Sequence, residues 1–418
     1  MKAAAGLFLL AATAAQAQKP SSWLNEELPH WLQFSGEYRA RVEGFEGGSF
    51  KTDTSDAYVL SRLRLNASIE PAAWFRIRGQ TQDARVFGND RVAAAPPYQN
   101  TFDLRLAYAE VGRSEGVFQL RAGRQELDFG EQRLLGSLPW TNTARSFDAI
   151  RATFHKRGYR LDAFAASMVV AQDGSPDHHL QGSNLHGLYG GFEKLIPKAV
   201  VEPYVFWRVA SRQKLDTKTG GIRWVGKLPG KFDYGTEMAL QRGDVAAIRV
   251  SAWAGHWVVG RTFSSAWQAR AFVEYNYASG DRDPRDNRTQ TFDQLYPTGH
   301  DKLGLADQVG WRNIRDVRVG VEAKPLKPLK ASLVAHSWHL ANASDALYNA
   351  AGAAIARSAD ASAGTHVGEE LDAQGMWSVS KQIQLGAGVG HIFPGEFLKR
   401  STPGKAYTFP YLLAAWSF

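Results

Sequence analysis

Few residues in this chain have the types and spacing that covalent or metal chemistry needs. There is no cysteine, which removes thiol nucleophiles, disulfides and cysteine-ligated zinc. No Gly-x-Ser-x-Gly elbow occurs, so a serine hydrolase has no support. Ser183, Asn184 and His186 lie close together, but common residues in proximity do not define a nucleophile and its base. Asp177, His178 and His179 form a candidate metal group in a stretch expected to be a surface loop. His336 and His339 are three apart in a segment that reads as a strand, where odd spacing sends side chains to opposite faces. Asp281, Asp283, Asp286 and Asn287 offer oxygen ligands without the spacing of an EF-hand calcium loop. What recurs instead is arginine on one parity of alternating segments: Arg39, Arg62, Arg64, Arg76, Arg78, Arg105, Arg121, Arg151, Arg208, Arg249, Arg270 and Arg318. A guanidinium presents a planar fork of donors that matches a carboxylate, and a ring of such groups in a pore selects anions. The competing chemistry is structural. Acids recur on the same parity (Glu37, Asp103, Glu202, Asp233, Glu237, Glu274, Glu322, Glu370 and Asp372), and Arg–acid ladders across neighbouring strands would brace a wall.

The elements that carry these arginines read as strands, because polar and apolar residues alternate with period two almost throughout. In 31–43, Leu32, Phe34, Tyr38, Ala40 and Val42 interleave with Gln33, Ser35, Glu37, Arg39, Arg41 and Glu43. About 18 such segments can be counted, at 31–43, 57–69, 73–87, 101–111, 116–126, 146–156, 158–170, 184–195, 199–211, 219–228, 231–242, 244–258, 267–279, 311–324, 328–341, 366–380, 382–393 and 406–418. Their boundaries are least defined in 171–230, where a count of 16 strands stays open. Connections after even-numbered segments are short. Those after odd-numbered segments are mostly long, with Gly243, a single residue, breaking the rule. An alanine-rich stretch, 344–363, is a candidate helix inside one long loop.

Composition points the same way. The chain has 418 residues, 13 Trp, 14 Tyr, 22 Phe and a formal net charge of +8. This many aromatics exclude a disordered chain. The length suggests two or three soluble domains as a prior, yet hydrophobicity concentrates nowhere, and the apolar run that a membrane helix needs is missing. The positive charge is spread along strands and forms no patch, which argues against a nucleic-acid partner. At the N-terminus, Lys2, the small apolar run from Ala3 and the triplet Ala15-Gln16-Ala17 read as a signal peptide over 1–17. A periplasmic segment, 18–30, is expected after it. No cysteine follows the cleavage point, so a lipoprotein anchor is excluded.

Short turns at one end, long loops at the other and alternating strands are the pattern of an outer-membrane barrel. Only a closed barrel or a helix satisfies every backbone polar group in lipid. The fold expected is therefore all-β: a single transmembrane antiparallel β-barrel over 31–418, with short periplasmic turns and long extracellular loops. The last strand ends in Phe418 with Leu412, Ala414 and Trp416 on the same parity. Tryptophans near segment ends (Trp23, Trp31, Trp74, Trp140, Trp207, Trp224, Trp257, Trp267, Trp311 and Trp377) fit interfacial girdles. Eighteen strands leave a lumen wide enough for water, with the polar parity facing it.

Several motifs also carry a resemblance. Residues 120–136 read LRAGRQELDFGEQRLLG and continue through Trp140, Asn142 and Arg145-Ser-Phe-Asp-Ala-Ile-Arg151. Further on stand YNYASGDRDP (275–284), TFDQLYPTGH (291–300), DALY (345–348) and GHIFPGEFL (390–398). Together these resemble the alginate export family of outer-membrane barrels. The resemblance implies an 18-stranded barrel with an electropositive, arginine-lined constriction that passes an acidic polysaccharide outward, and loops that gate it. It places Arg124, Arg133, Arg145 and Arg151 in the constriction, with Asp128, Glu131 and Asp148 as the acids that hold them. The connection between segments five and six is long enough to fold into the lumen. Arg124 lies off the polar parity of Gln119 and Arg121, so a β-bulge is expected at 123–125. The expected partners are an anionic polysaccharide or oligosaccharide, outer-membrane lipid, the barrel assembly machinery and periplasmic export proteins. No cofactor, metal or catalytic residue is expected. Uptake or general diffusion of small anionic or sugar-like solutes stays open as an alternative, as does a structural barrel whose loops matter more than its lumen.

Overall fold

The structure, a computed structural model, describes residues 25–418. The expected signal peptide and Trp23 lie outside them. Eighteen long strands follow in chain order: β1 (Leu32–Glu46), β2 (Ser55–Ala72), β3 (Phe75–Phe87), β4 (Asn100–Val111), β5 (Phe118–Gln125), β6 (Phe147–Lys156), β7 (Tyr159–Val170), β8 (Ser183–Phe192), β9 (Ala199–Ala210), β10 (Leu215–Leu228), β11 (Phe232–Val245), β12 (Ile248–Thr262), β13 (Arg270–Ala278), β14 (Ile314–Leu326), β15 (Leu329–Leu340), β16 (His366–Ser378), β17 (Ile383–Pro394) and β18 (Tyr407–Ser417). Each pairs antiparallel with the next, and β18 returns to β1 through a register that runs from Glu37 opposite Ser417 to Glu46 opposite Thr408. The sheet is a closed barrel, and its 18 strands overlap the 18 segments read from the alternation.

Burial runs opposite to that of a soluble protein. On the outward parity Val42, Leu65, Ile150, Leu240, Val273 and Leu412 are 46–61% exposed, while Arg39, Arg62 and Arg64 on the inward parity are under 8% exposed. The apolar face meets lipid and the polar face turns inward. Trp31, Trp74, Trp207, Trp224, Trp267 and Trp377 are exposed on the outer wall, as a girdle requires. Trp140 and Trp311 are not girdle residues, since both pack into the interior.

Turn geometry explains two differences at the strand ends. The β6–β7 hairpin closes on Arg157 and Gly158, both at positive φ. This is the left-handed pair that a two-residue hairpin favours. The tight turn expected at Gly243 lies instead at 246–247, and Gly243 is inside β11 opposite Val250. There φ is +142°, and a Cβ would collide with the Asp216 carbonyl oxygen. The connection at 211–214 is also short, because β10 starts earlier than its alternation suggests.

The long loops do not leave the lumen open. Residues 126–146, 279–313, 341–365 and the helix α1 (Glu396–Ser401) all fold inward. Leu127, Phe129, Leu134 and Leu135 pack with Phe292, Tyr296, Leu305 and Trp311, with Leu347, and with Phe397 and Leu398. They meet the wall residues Phe147, Phe164, Phe206, Trp338 and Ile392 in one buried cluster. The expectation of a simply water-filled bore is corrected: this part of the lumen is packed like a protein core. The alanine-rich stretch forms no helix. It contributes the short strands Leu347–Tyr348 and Ala354–Ala356 to this packing.

Closure rests on a small residue. Gly36 exchanges both backbone hydrogen bonds with Phe418, and a Cβ there would overlap the Phe418 ring. Replacing Gly36 by valine is expected to weaken the β1–β18 seam by about 1–3 kcal/mol, the usual cost of overpacking. The readout is a lower fraction of barrel that resists unfolding by detergent and heat. Unchanged resistance would show that the ring has no fixed seat.

A candidate constriction built by the β5–β6 loop

Residues 126–146 reach opposite sides of the barrel. On one side, Arg39 of β1 donates to the carbonyls of Pro139 (3.0 Å), Trp140 (3.0 Å) and Thr141 (3.2 Å). Arg41 donates to Trp140 at 2.6 Å, and Arg62 of β2 to Pro139 at 3.1 Å. Asn142 is 1% exposed, and its amide donates to the carbonyls of Ser61, Arg85 and Tyr98. On the far side Arg133 meets Glu274 of β13 at 2.9 Å and Asn276 at 3.2 Å, and lies 3.3 Å from Glu131. Glu131 also binds Arg223 of β10 at 3.2 Å. Burial works against the Glu131 charge, but His256, Arg133, Arg223 and Lys302 around it hold the carboxyl well below the ordinary range. The loop is therefore clamped to β1–β2 through backbone carbonyls and to β10–β13 through an ion network.

The second inward loop locks the first. Leu135 bridges Tyr296 in parallel fashion. Thr298 donates to Gln132 at 2.6 Å and accepts from the Leu138 amide at 3.0 Å. Arg145 donates to the carbonyls of Gly136, Tyr296 and Pro297. Trp140 stacks on His300 at 3.9 Å, with the Arg41 guanidinium 3.9 Å over the same ring. Arg208 of β9 joins through Asp293 at 2.6 Å.

The expected site residues thus divide. Arg39, Arg62, Arg133, Arg145 and Arg208 come together on the two loops. Arg318 binds Glu274 at 3.1 Å, beside Arg133. Arg105 is buried and pairs with Glu126 at the start of the loop. Arg151 pairs with Asp162 at 2.8 Å under the Phe129 ring. Arg76 pairs with Glu110, as does Arg121, in a cavity of about 440 Å³ that Arg121, Arg151 and Glu110 line with Glu202. Glu131 holds Arg133, as the resemblance implied. Asp128 holds no arginine: it accepts from the Ser137 amide at 2.6 Å and hydroxyl at 3.1 Å. Burial and the neighbouring Glu126 push its carboxyl up to about 6.

Arg124 and Asp148 pair with each other at 2.9 Å but stand apart from the interior group. In the continuous β5–β6 register Arg124 faces Asp148, an odd number of places from the inward Arg121–Arg151 level on both strands. Ile150, on the parity of Asp148, is 59% exposed. The pair is therefore on the outer parity near the rim, and Arg124 also bonds the Asp177 carbonyl of the β7–β8 loop. No bulge occurs at 123–125. Register shifts lie instead between β3 and β4, at Gln80–Thr81, where the extra residue is Arg105, and again at Gln82–Ala84. Arg249 is likewise exposed, on the outward parity of β12. Arg41 and Arg223 were not singled out by the sequence. Arg41 shares the parity of Arg39, which is its signal in the sequence, whereas Arg223 falls where the alternation is weakest.

Known proteins share this architecture. The alginate export family model matches residues 30–410. The chain belongs to the alginate export family. No curated protein matches it. Among solved structures it is similar to Pseudomonas aeruginosa OpdQ (TM-score 0.63, 11% identity, covering 93% of this chain and 97% of that one). It is also similar to OccK8 (OprE) of the same organism (0.62, 10%, 93% and 98%). Acinetobacter baumannii OccAB2 gives 0.63 at 12% identity, covering 92% and 98%. At such identities the likeness speaks for fold alone. Family and fold together are those of outer-membrane channels of Gram-negative bacteria.

Arg133 tests the clamp. Its side chain is 3% exposed and that of Glu274 is 4% exposed, so Arg133→Ala takes one buried guanidinium from Glu274 and from Glu131, leaving each with one arginine, Arg318 and Arg223. Leaving a buried charge wholly unpaired costs about 3–5 kcal/mol, and the loss here should be smaller because each carboxylate keeps one partner. We expect the guanidinium chloride midpoint of the refolded barrel to fall and its open-channel current to become noisier as the loop loosens. Arg133→Lys should restore only part of both, because a point ammonium cannot span Glu274 and Asn276 together. A silent Arg133→Ala would contradict the clamp.

Proposed function

We propose that this outer-membrane channel passes an anionic saccharide, a uronate polymer or its oligomers, along a path lined by the inward arginines, and that transport runs outward in keeping with its family. The observation that carries this reading is the charge imbalance at the β1–β2 wall. Arg39, Arg41, Arg62 and Arg64 stand together, and the carboxylates bonded to them are Glu37 and Glu43. A pore wall with excess guanidinium favours anions and matches the fork geometry of carboxylates. Steering by such a wall weakens with salt. A purely structural role, bracing the wall, accounts for Arg76, Arg121, Arg151 and Arg270, each tied to a strand carboxylate. Arg39 differs in being tied to loop carbonyls, with no carboxylate bonded to it.

A second reading has its own support. The packed loops leave little room for a polymer without rearrangement, which favours uptake of small carboxylated solutes. One solved barrel of similar fold, OpdK of Pseudomonas aeruginosa, is described with vanillate.

Flux from proteoliposomes separates these outcomes. Galacturonate oligomers should leave faster than neutral malto-oligosaccharides of equal length, and Arg39→Gln combined with Arg62→Gln should erase the difference. Equal rates in the unmodified protein would refute the anionic substrate. Passage of monomeric carboxylates alone would favour the second reading.

A further inference from the structure

The wall of β1, β2 and β4 holds five buried arginines: Arg39, Arg41, Arg62, Arg64 and Arg105. The carboxylates that touch them are Glu37 on Arg62, Glu43 on Arg41 and Glu126 on Arg105. Arg64 bonds the neutral Gln82 at 2.8 Å, and Arg39 bonds only backbone carbonyls and Asn142. Even so, Nε of Arg39, Arg62 and Arg105 and Nη2 of Arg64 are buried without a hydrogen-bond partner among the described residues. Orphaned guanidinium donors are costly, more so than neutral ones. The site is thus built for more acceptor, and more negative charge, than the loop supplies.

The loop segment over the wall is short and held at both ends. Ser137 is fixed by Asp128, and Asn142 by its three carbonyl partners. Leu138 and Ala144, close to these anchors, sit at φ +52° and +57°, a left-handed conformation that a residue with a side chain adopts at a cost. The Trp140 ring is fixed between Arg41 and His300. The smallest rearrangement that frees the guanidiniums is therefore rotation of the peptide planes of 139–141, with no need for the ring to leave.

We propose that the carbonyls of Pro139, Trp140 and Thr141 are a built-in stand-in for substrate, and that a carboxylate of a uronate opens this side of the constriction by displacing them from Arg39 and Arg62. This rests on the anionic reading above and adds its regulation. The carbonyls already take charge-assisted bonds from the guanidiniums, but a carboxylate adds a full negative charge and fits the planar fork with two parallel bonds, bringing two acceptor oxygens where each peptide brings one. The displaced state binds carboxylate and the covered state does not, so the ligand has the differential affinity that a population shift needs.

The absence of cysteine allows a direct test in the full-length barrel in proteoliposomes. Pro139→Cys creates a sole thiol on the strap, and its reaction rate with a neutral thiol reagent reports exposure. Tri-galacturonate should speed labelling severalfold, while maltotriose, or chloride at equal ionic strength, should not. In the same background, Arg39→Gln with Arg62→Gln should label fast without ligand and ignore tri-galacturonate. Should Pro139→Cys fail to insert, Leu138→Cys serves the same reading. A labelling rate that tri-galacturonate leaves unchanged, in a channel that still passes oligogalacturonate, would overturn the displacement and leave the anionic reading standing. A channel that neither passes oligogalacturonate nor changes its labelling would end both.

Discussion

In hydrocarbon an unpaired backbone amide costs several kcal/mol, and the whole molecule follows from avoiding that cost. A sheet that must leave no edge has to close, and the seam between β1 and β18 is where it does so. Once the sheet is closed, period-two alternation sorts every strand into a lipid parity and a lumen parity. Arginine on the second parity is then concentrated in a confined space. Charges so placed need partners, and strand acids, glutamines and loop carbonyls supply them.

The interior loops are a consequence of that demand as much as of chain length. Residues 126–146 bring Glu131 and Arg133 to one wall and a row of carbonyls to the other, and residues 279–313 hold them there through Tyr296 and Thr298. The apolar side chains of both loops then bury one another. The structure is a barrel with a packed septum, in which the most strongly clamped arginines are the ones joined to carboxylates. Arg39 and Arg64, like Arg145 within the loop, have nothing negative bonded to them, and the first two leave the excess positive charge at the β1–β2 wall on which the proposed anion path rests.

Much of this is legible in the sequence, and the failures have physical causes. Strand count and parity are readable because a lipid face imposes strict alternation, as in 31–43. Arg39, Arg62 and Arg318 fall on the inner face for that reason, whereas Arg105 reaches it at a break in the alternation. Broken parity at Arg124 points to a bulge beside Gly123. The structure instead puts Arg124 on the outer parity at the rim, where an arginine can reach a loop carbonyl, and the irregularity falls at Arg105. Gly243 suggests a turn because glycine usually marks one, yet it serves a close approach of backbones inside β11. The septum is not visible as such: loop residues such as Phe129, Phe292 and Trp311 carry no period, and their burial depends on contacts between loops far apart in the chain.

The sign of the charge that the open barrel prefers is the property on which the anion path stands or falls. Reversal potential of single channels in a potassium chloride gradient measures it directly. An anion preference that weakens when Arg39 and Arg62 are made neutral is the predicted result. A cation preference in the unmodified barrel would contradict the anion path outright.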